Sequence, residues 1–215
     1  MGKHFSFTSK SQNKTRLYSL CLAGNENIHK KHKQLIDNIY LLESSKEIIN
    51  ASLYEDEMNS PDLQVYIKWY SIHGALSDYL HSKDIPDDDL TVKGPLGLGL
   101  DLPEEEVEGT YVAFSAGTGI YCFFDFIAYV IRYTVNKVSV EHFECSKNKL
   151  HEEETFKEVR KLKLILFCSF PDEKSAYWHD LFLKAKDISH KYQLDIFEYY
   201  PRISNQEKRP TYRDW

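Results

Sequence analysis

Residues 111–133 read YVAFSAGTGIYCFFDFIAYVIRY and form the most apolar run of the chain. The run is about as long as a membrane-spanning helix, but two glycines, Asp125 and Arg132 interrupt it. An apolar strand, a glycine turn and a buried helix account better for this order of residues. We therefore predict a strand over residues 110–115, a tight turn, a helix over residues 120–135, and no integral membrane span.

The residues that follow alternate between strand and helix patterns. An apolar strand is expected over residues 161–169, a helix over residues 171–192, and a third strand over residues 194–200. Two strand–helix–strand units in succession predict a parallel, doubly wound α/β sheet. Ligands of such sheets bind at the carboxyl ends of the strands.

The first half of the chain has the alternating pattern of antiparallel strands. Residues 4–8 and 17–22 form a predicted hairpin, and further strands are expected over residues 63–70 and 90–93. A short helix is expected over residues 76–82. This half is therefore predicted to be an antiparallel β domain.

A charged helical insertion is predicted over about residues 25–60, because apolar residues recur there at helical intervals before a polar stretch. The acidic run 87–89 is expected to be a solvated turn. A second acidic stretch, residues 103–108, marks the predicted domain boundary. The chain is thus divided into an antiparallel domain, residues 1–104, and an α/β domain, residues 105–215.

Composition narrows the functional classes. The chain has 215 residues, enough for one large domain or two small ones, and its net charge of −6 argues against nucleic-acid binding. Its four cysteines include no CxxC pair, which favours reduced thiols and a cytoplasmic location, compatible with peripheral association with an intracellular membrane. His142, Cys145 and His151 could be metal ligands, but a solvated face is the better interpretation, and no metal site is predicted.

The segment Arg16-Leu17-Tyr18-Ser19 combines three chemical groups that a flavin requires. Alternation along a strand places Arg16 and Tyr18 on one face. The guanidinium can bind two phosphate oxygens, the tyrosine ring offers a flat partner, and the Ser19 hydroxyl can form hydrogen bonds. An ordinary strand with one exposed arginine would have the same sequence.

Two glycine segments have the composition of phosphate-binding turns. Gly74-Ala75-Leu76-Ser77 precedes a predicted short helix, so its backbone N–H groups could bind phosphate oxygens. Gly117-Thr118-Gly119-Ile120 stands between a predicted strand and a predicted helix, where a nucleotide-binding turn occurs. Each could also be a turn retained for packing alone.

Together with Lys93-Gly94-Pro95-Leu96-Gly97, these segments resemble, in order, the ferredoxin–NADP reductase superfamily, and most closely its NADH–cytochrome b5 reductase branch. The resemblance implies an FAD-dependent oxidoreductase that passes a hydride from NAD(P)H to FAD and then electrons to a cytochrome b5-like or other acceptor protein. Its implied catalytic residues are Ser19, at the flavin N5 edge, and Tyr18, against the ring. The remaining implied cofactor ligands are Arg16, Gly74, Ala75, Leu76 and Ser77 for FAD, and Gly117, Thr118, Gly119 and Ile120 for NAD(P)H.

The sequence departs from this family after its glycine turn and at both ends. Tyr121 and Cys122 occupy positions where the family has a small residue and proline. The resemblance also implies a flavin barrel lacking about three initial strands, which a partner chain could complete, and an α/β domain lacking its last segments. The alternative interpretation is a partial reductase domain that acts as a non-catalytic binding or assembly module.

Overall fold

The computed structural model describes residues 2–21, 23, 26–41, 65–69, 75–82, 85–86, 88–102, 108–139 and 162–204. Several sequence predictions fall outside these residues. They concern Gly74, the domain boundary between residues 104 and 105, and the set His142, Cys145 and His151.

An open antiparallel sheet is formed by β1 (His4–Ser9), β2 (Lys14–Ser19) and β3 (Leu90–Leu96), in the order β2-β1-β3. The predicted hairpin is present, with Phe7 of β1 opposite Arg16 of β2. The described residues form no closed barrel. Of the strand predicted over residues 63–70, the described part forms only an isolated bridge between Val65 and Leu20.

A parallel sheet is formed by β4 (Gly109–Ala116), β5 (Leu162–Phe170) and β6 (Phe197–Ile203), in that order. The chain therefore combines an antiparallel sheet with an α/β arrangement, as its sequence predicts. Sequential strand order is the order expected when each parallel strand is joined to the next by a crossover on the same side.

Among the described residues, three α-helices accompany the parallel sheet, and one short helix accompanies the antiparallel sheet. The former are α1 (Glu26–Leu41), α3 (Phe124–Ser139) and α4 (His179–Lys191), and the latter is α2 (Leu76–Leu80). The apolar run 111–133 is divided between β4, a 3-10 helix (Gly117–Phe123) and α3. Within the described ranges, we find no helix with both the length and the apolar character needed to cross a bilayer.

Helix α1, predicted as an insertion, packs against α3 and α4. Its residues Leu35, Ile36 and Ile39 recur at helical spacing and are buried in the same core as the parallel sheet. Just before α1, the backbone N–H of Ala23 donates to the buried Asp125 carboxylate at 2.8 Å. The described part of the predicted insertion, helix α1, thus belongs to the helical layer of the α/β half.

The two faces of the parallel sheet differ in what covers them. On one face, strand residues such as Leu164 and Tyr199 are buried against the helices. On the other, Phe114, Phe167 and Tyr200 lie side by side in register, with neighbouring ring centroids 5.0 Å apart. These three rings are exposed, although the Lys186 ammonium of α4 lies 4.7 Å from the centroid of the Tyr200 ring. A doubly wound sheet has helices on both faces. The doubly wound arrangement of this sheet therefore stays a prediction.

Candidate functional site

A cleft of about 520 Å³ lies between β2, the start of α2 and the turn that follows β4. It is lined by residues from all three segments that the sequence predicts to bind cofactors. These residues are Arg16, Tyr18, Ser19, Ala75, Leu76, Ser77, Thr118 and Gly119. Its volume is in the ordinary range for small-molecule and cofactor sites.

The charges at the cleft are of one sign. Lys14, Arg16 and Lys68 line it, and no carboxylate does so among the described residues. Lys14, Arg16 and Tyr18 occupy every second position of β2, so their side chains share one face of the strand. The Arg16 guanidinium is exposed and its Nη1 donates to the Thr15 carbonyl at 3.0 Å. This wall can attract phosphate groups.

The Tyr18 ring is held edge-on against the buried Phe7. Their ring centroids lie 5.4 Å apart with an interplanar angle of 84°. Burial raises the pKa of Tyr18, which outweighs the lowering effect of Arg16 and keeps the phenol neutral. Tyr18 therefore offers the cleft a supported, uncharged aromatic surface.

At the other end of the cleft, β2 meets the glycine turn. The Ser19 hydroxyl oxygen lies 3.0 Å from the Cys122 sulfur, and both residues are partly buried. The sequence marks Cys122 only as a departure from the family, since its position offers no local signal of a contact with Ser19. The end of the predicted flavin segment and the predicted nucleotide turn are thus in direct contact.

The short helix α2 is fixed by the carboxylate of Asp89. Asp89 accepts hydrogen bonds from the Ser9 hydroxyl at 2.6 Å, the Tyr79 hydroxyl at 2.6 Å and the Ser11 backbone N–H at 2.7 Å. Asp89 is only 6% exposed, so the prediction of a solvated turn is wrong at this residue. Through Asp89, Leu76 and Ser77 are held in place relative to β1.

The glycine turn after β4 is a 3-10 helix, and α3 begins only at Phe124 instead of at Ile120 as predicted. Gly117 opens the turn with a φ of 51°, and Gly119 lines the cleft. A Cβ added at Gly119 would meet no heavy atom within 4 Å. Ile120, predicted to contact the nucleotide, is buried in the core instead of lining the cleft.

A second cavity, of about 1150 Å³, lies at the carboxyl ends of β5 and β6. Basic side chains of α1, α4 and the loop after β5 line it, among them Lys33, Lys174 and Lys184. The Trp178 ring, which also lines it, is stacked between His29 and Phe124 at centroid distances of 4.9 and 4.6 Å. Sequence reasoning missed these residues, because the periodicity of α1 does not show which cavity the helix borders.

The indole nitrogen of Trp178 is a buried hydrogen-bond donor at this second cavity. Trp178 is 4% exposed, and within the described part of the chain its Nε1 has no acceptor in hydrogen-bond range. A buried donor without an acceptor is costly.

Comparisons with known proteins do not assign the chain. No protein-family model and no curated protein matches it. A functional assignment must therefore be argued from the cleft, the second cavity and their chemistry.

Proposed function

We propose that the chain is an FAD-dependent oxidoreductase similar to NADH–cytochrome b5 reductase. It would accept a hydride from NAD(P)H and deliver electrons to a haem protein or another acceptor protein. One observation supports this proposal above the others: residues 16–19, 75–77 and 118–119 line a single cleft. Segments so distant in sequence have no local reason to meet, whereas the proposed function requires that they do.

The residues in the cleft fit an FAD molecule. The pyrophosphate would bind Arg16, with Lys14 beside it, and the isoalloxazine would lie against Tyr18. Ser19 and Cys122 would donate hydrogen bonds at the opposite end. When bound, FAD would supply the exchange between two-electron and one-electron transfer that these side chains cannot perform.

NAD(P)H is proposed to approach from the glycine turn. The open space over Gly119 leaves room for a phosphate or ribose close to the backbone. The adenosine half would extend towards the second cavity, where Lys33 and Lys174 could neutralise phosphate charge. Both cavities thus have a place in one binding mode.

The test is the visible spectrum of the chain expressed with riboflavin available, recorded before and after anaerobic addition of NADH. We expect a flavin spectrum that bleaches.

Arg16→Ala should weaken FAD binding about tenfold to a hundredfold, because it removes charge-assisted hydrogen bonds worth about 1.5–3 kcal/mol.

The matched control is Lys93→Ala, which removes a cation from β3 of the same sheet at a residue that does not line the cleft. Lys93→Ala should retain its flavin. If Arg16→Ala retains as much flavin as Lys93→Ala, the pyrophosphate assignment is wrong.

A second candidate function is a non-catalytic, partial reductase domain that serves as a binding or assembly module. The observation that favours it is the position of Tyr121, whose bulky ring lies at the cleft where the family has a small residue. The same spectrum separates the two. Flavin without bleaching would indicate a cofactor-binding module, and no flavin at all would favour an assembly role.

A further inference from the structure

The cleft and the second cavity are neighbours that a wall of tyrosine rings separates. Among the described residues, the two cavities share no lining side chain. Tyr66 and Tyr121 line the cleft, and Tyr177 lines the second cavity. The ring centroids of Tyr66 and Tyr121 are 5.0 Å apart, those of Tyr66 and Tyr177 5.7 Å, and those of Tyr121 and Tyr177 6.4 Å. We refer to these three residues as the tyrosine wall.

The tyrosine wall is closed by direct contact. All three centroid distances lie within the range of packed aromatic pairs, about 4.5–7 Å. Tyr121 also stands edge-on to the buried Phe124, with centroids 5.2 Å apart. Burial raises the pKa of Tyr66, and the neighbouring Tyr177 hydroxyl acts in the same direction. Burial also raises the pKa of Tyr121, so both rings that line the cleft stay neutral, and each of the three rings packs against the other two.

The tyrosine wall is nevertheless built from weakly supported backbone. Tyr121 belongs to a 3-10 helix, whose hydrogen bonds are poorer in geometry than those of an α-helix. No heavy atom lies within 4 Å of the place that a Cβ would take at Gly117 or Gly119, so the turn is not packed against other groups there. Tyr66 directly follows Val65, which forms an isolated β-bridge, and the described residues 66–69 belong to no helix or strand. The passage can thus open by a local movement.

We propose that Tyr121 determines which nucleotides this site accepts. Its ring closes the passage between the cleft and the second cavity, so that a mononucleotide binds within one cavity as the structure stands. A dinucleotide that spans both cavities binds only after the ring has moved aside. This inference rests on the proposed function, since it takes NAD(P)H as the spanning ligand.

The test is titration calorimetry of the purified chain with NAD⁺ and with AMP. Tyr121→Ala should bind NAD⁺ about tenfold or more tightly than the wild type, because the ring contacts no longer need to be broken. Tyr121→Phe keeps the ring and should match the wild type. AMP, which needs only the second cavity, should bind all three proteins with affinities within about twofold.

One control and one further variant test whether the effect depends on the tyrosine wall or on the loss of any partly buried ring. Tyr133→Ala removes a partly buried ring from α3 that lines neither cavity, and it should leave NAD⁺ affinity unchanged. Tyr66→Ala removes the other wall ring that lines the cleft and should also tighten NAD⁺ binding. This second variant keeps the test decisive if Tyr121→Ala does not fold.

The outcomes distinguish this inference from the proposed function. AMP binding with equal NAD⁺ affinity in wild type, Tyr121→Ala and Tyr66→Ala would overturn the role of Tyr121 and leave the nucleotide site standing. Absence of NAD⁺ and AMP binding in every protein, with flavin present in the spectrum, would overturn both the role of Tyr121 and the use of NAD(P)H. Absence of flavin as well would overturn the proposed function.

Discussion

The two sheets of this chain are stabilised in different ways. In the parallel half, Leu164, Phe197 and Phe182 are fully buried within one large core. In the antiparallel half, only Phe7 and Ser9 are buried among the residues of the three strands, and β3 is mostly exposed. The parallel half is thus held by apolar packing, whereas polar contacts such as those of Asp89 fix the antiparallel half.

This difference bears on the cleft, because most of its predicted flavin ligands belong to the weaker half. Arg16, Tyr18 and Ser19 lie on β2, and Leu76 and Ser77 on α2. A ligand that binds only the folded state stabilises whatever it contacts. The antiparallel half should therefore gain more than the parallel half from an occupied cleft.

The largest expected effect is the loss of an aromatic ring from the parallel half. Phe182 contacts four other rings, and Phe182→Ala should lower the free energy of unfolding by about 3–5 kcal/mol. Phe7→Ala, the same change in the antiparallel half, should cost about 2 kcal/mol, since Phe7 has fewer buried neighbours. Urea denaturation of both variants measures the two costs, and equal values would remove the contrast between the halves.

The stability of the parallel half is expected to fall in acid because of His32, which is fully buried on α1. Burial lowers its pKa to about 4, helped by the nearby charges of Arg132 and His29, while a hydrogen bond to the Ile28 carbonyl at 2.8 Å acts in the opposite direction. The folded state therefore resists protonation more than the unfolded state, where the pKa is 6.5. Stability should be complete above pH 6.5 and fall as the pH drops towards 4, by on the order of 3 kcal/mol.

Denaturation at several pH values between 7 and 4 measures this loss. His32→Gln should flatten the pH dependence across that window, whereas His81→Gln, at an exposed histidine, should retain it. A slope that persists in His32→Gln would assign the acid sensitivity to another group.

The smallest change in stability is expected from Asp89 of the antiparallel half, at lower pH than the change expected from His32. The hydrogen bonds from Ser9 and Tyr79 lower the pKa of Asp89 from 3.8 to about 2. A depressed carboxyl pKa stabilises the fold above the unfolded value, and that stabilisation is lost as the pH falls from 3.8 towards 2. Asp89→Asn should abolish this loss, and the exposed neighbour Asp88→Asn should not. Acid titration followed by circular dichroism compares the two variants, and identical curves would contradict the role of Asp89.

The α/β half was the easier half to predict, because its elements are long or strongly apolar. The strand over residues 162–170 has buried side chains at every second position, and its pattern is clear without tertiary context. The ends of elements were less predictable. The helix predicted from residue 171 begins at His179, because residues 173–175 form a 3-10 helix capped by the Asp172 carboxylate.

The third parallel strand also begins later than predicted, at Phe197 instead of residue 194. Gln193 and Asp195 adopt positive φ values of 54° and 52°, which interrupts an extended strand. Neither residue is glycine, so the turn has little signature in the sequence. Tertiary contacts, including the Ser189 hydroxyl that accepts from the backbone N–H groups of Ile196 and Phe197, position this segment.

For the candidate site, the sequence indicates some of the residues that line the cleft but not what joins them. Arg16, Tyr18, Ser19 and Thr118 are predicted from their chemistry and from the resemblance to the reductases, and they line one cleft, whereas Lys68 and Tyr66 in the same cleft are not predicted. The contact between Ser19 and Cys122 spans 103 positions, which no local pattern can encode. The tyrosine wall likewise depends on side chains from three separate segments. Contacts of this kind follow from the fold and not from residue spacing.

The tryptophans give each half of the molecule its own optical reporter. Trp69 is 60% exposed, and its indole donates to Asp78 beside the antiparallel half. Trp178 is buried in the core of the parallel half. An indole in water emits at longer wavelength than one in an apolar core, so Trp69 and Trp178 contribute distinct bands to the emission of the native chain, in addition to that of its third tryptophan, Trp215. Replacing Trp215 and either Trp69 or Trp178 by phenylalanine would leave one tryptophan, so that fluorescence follows the unfolding of one half alone.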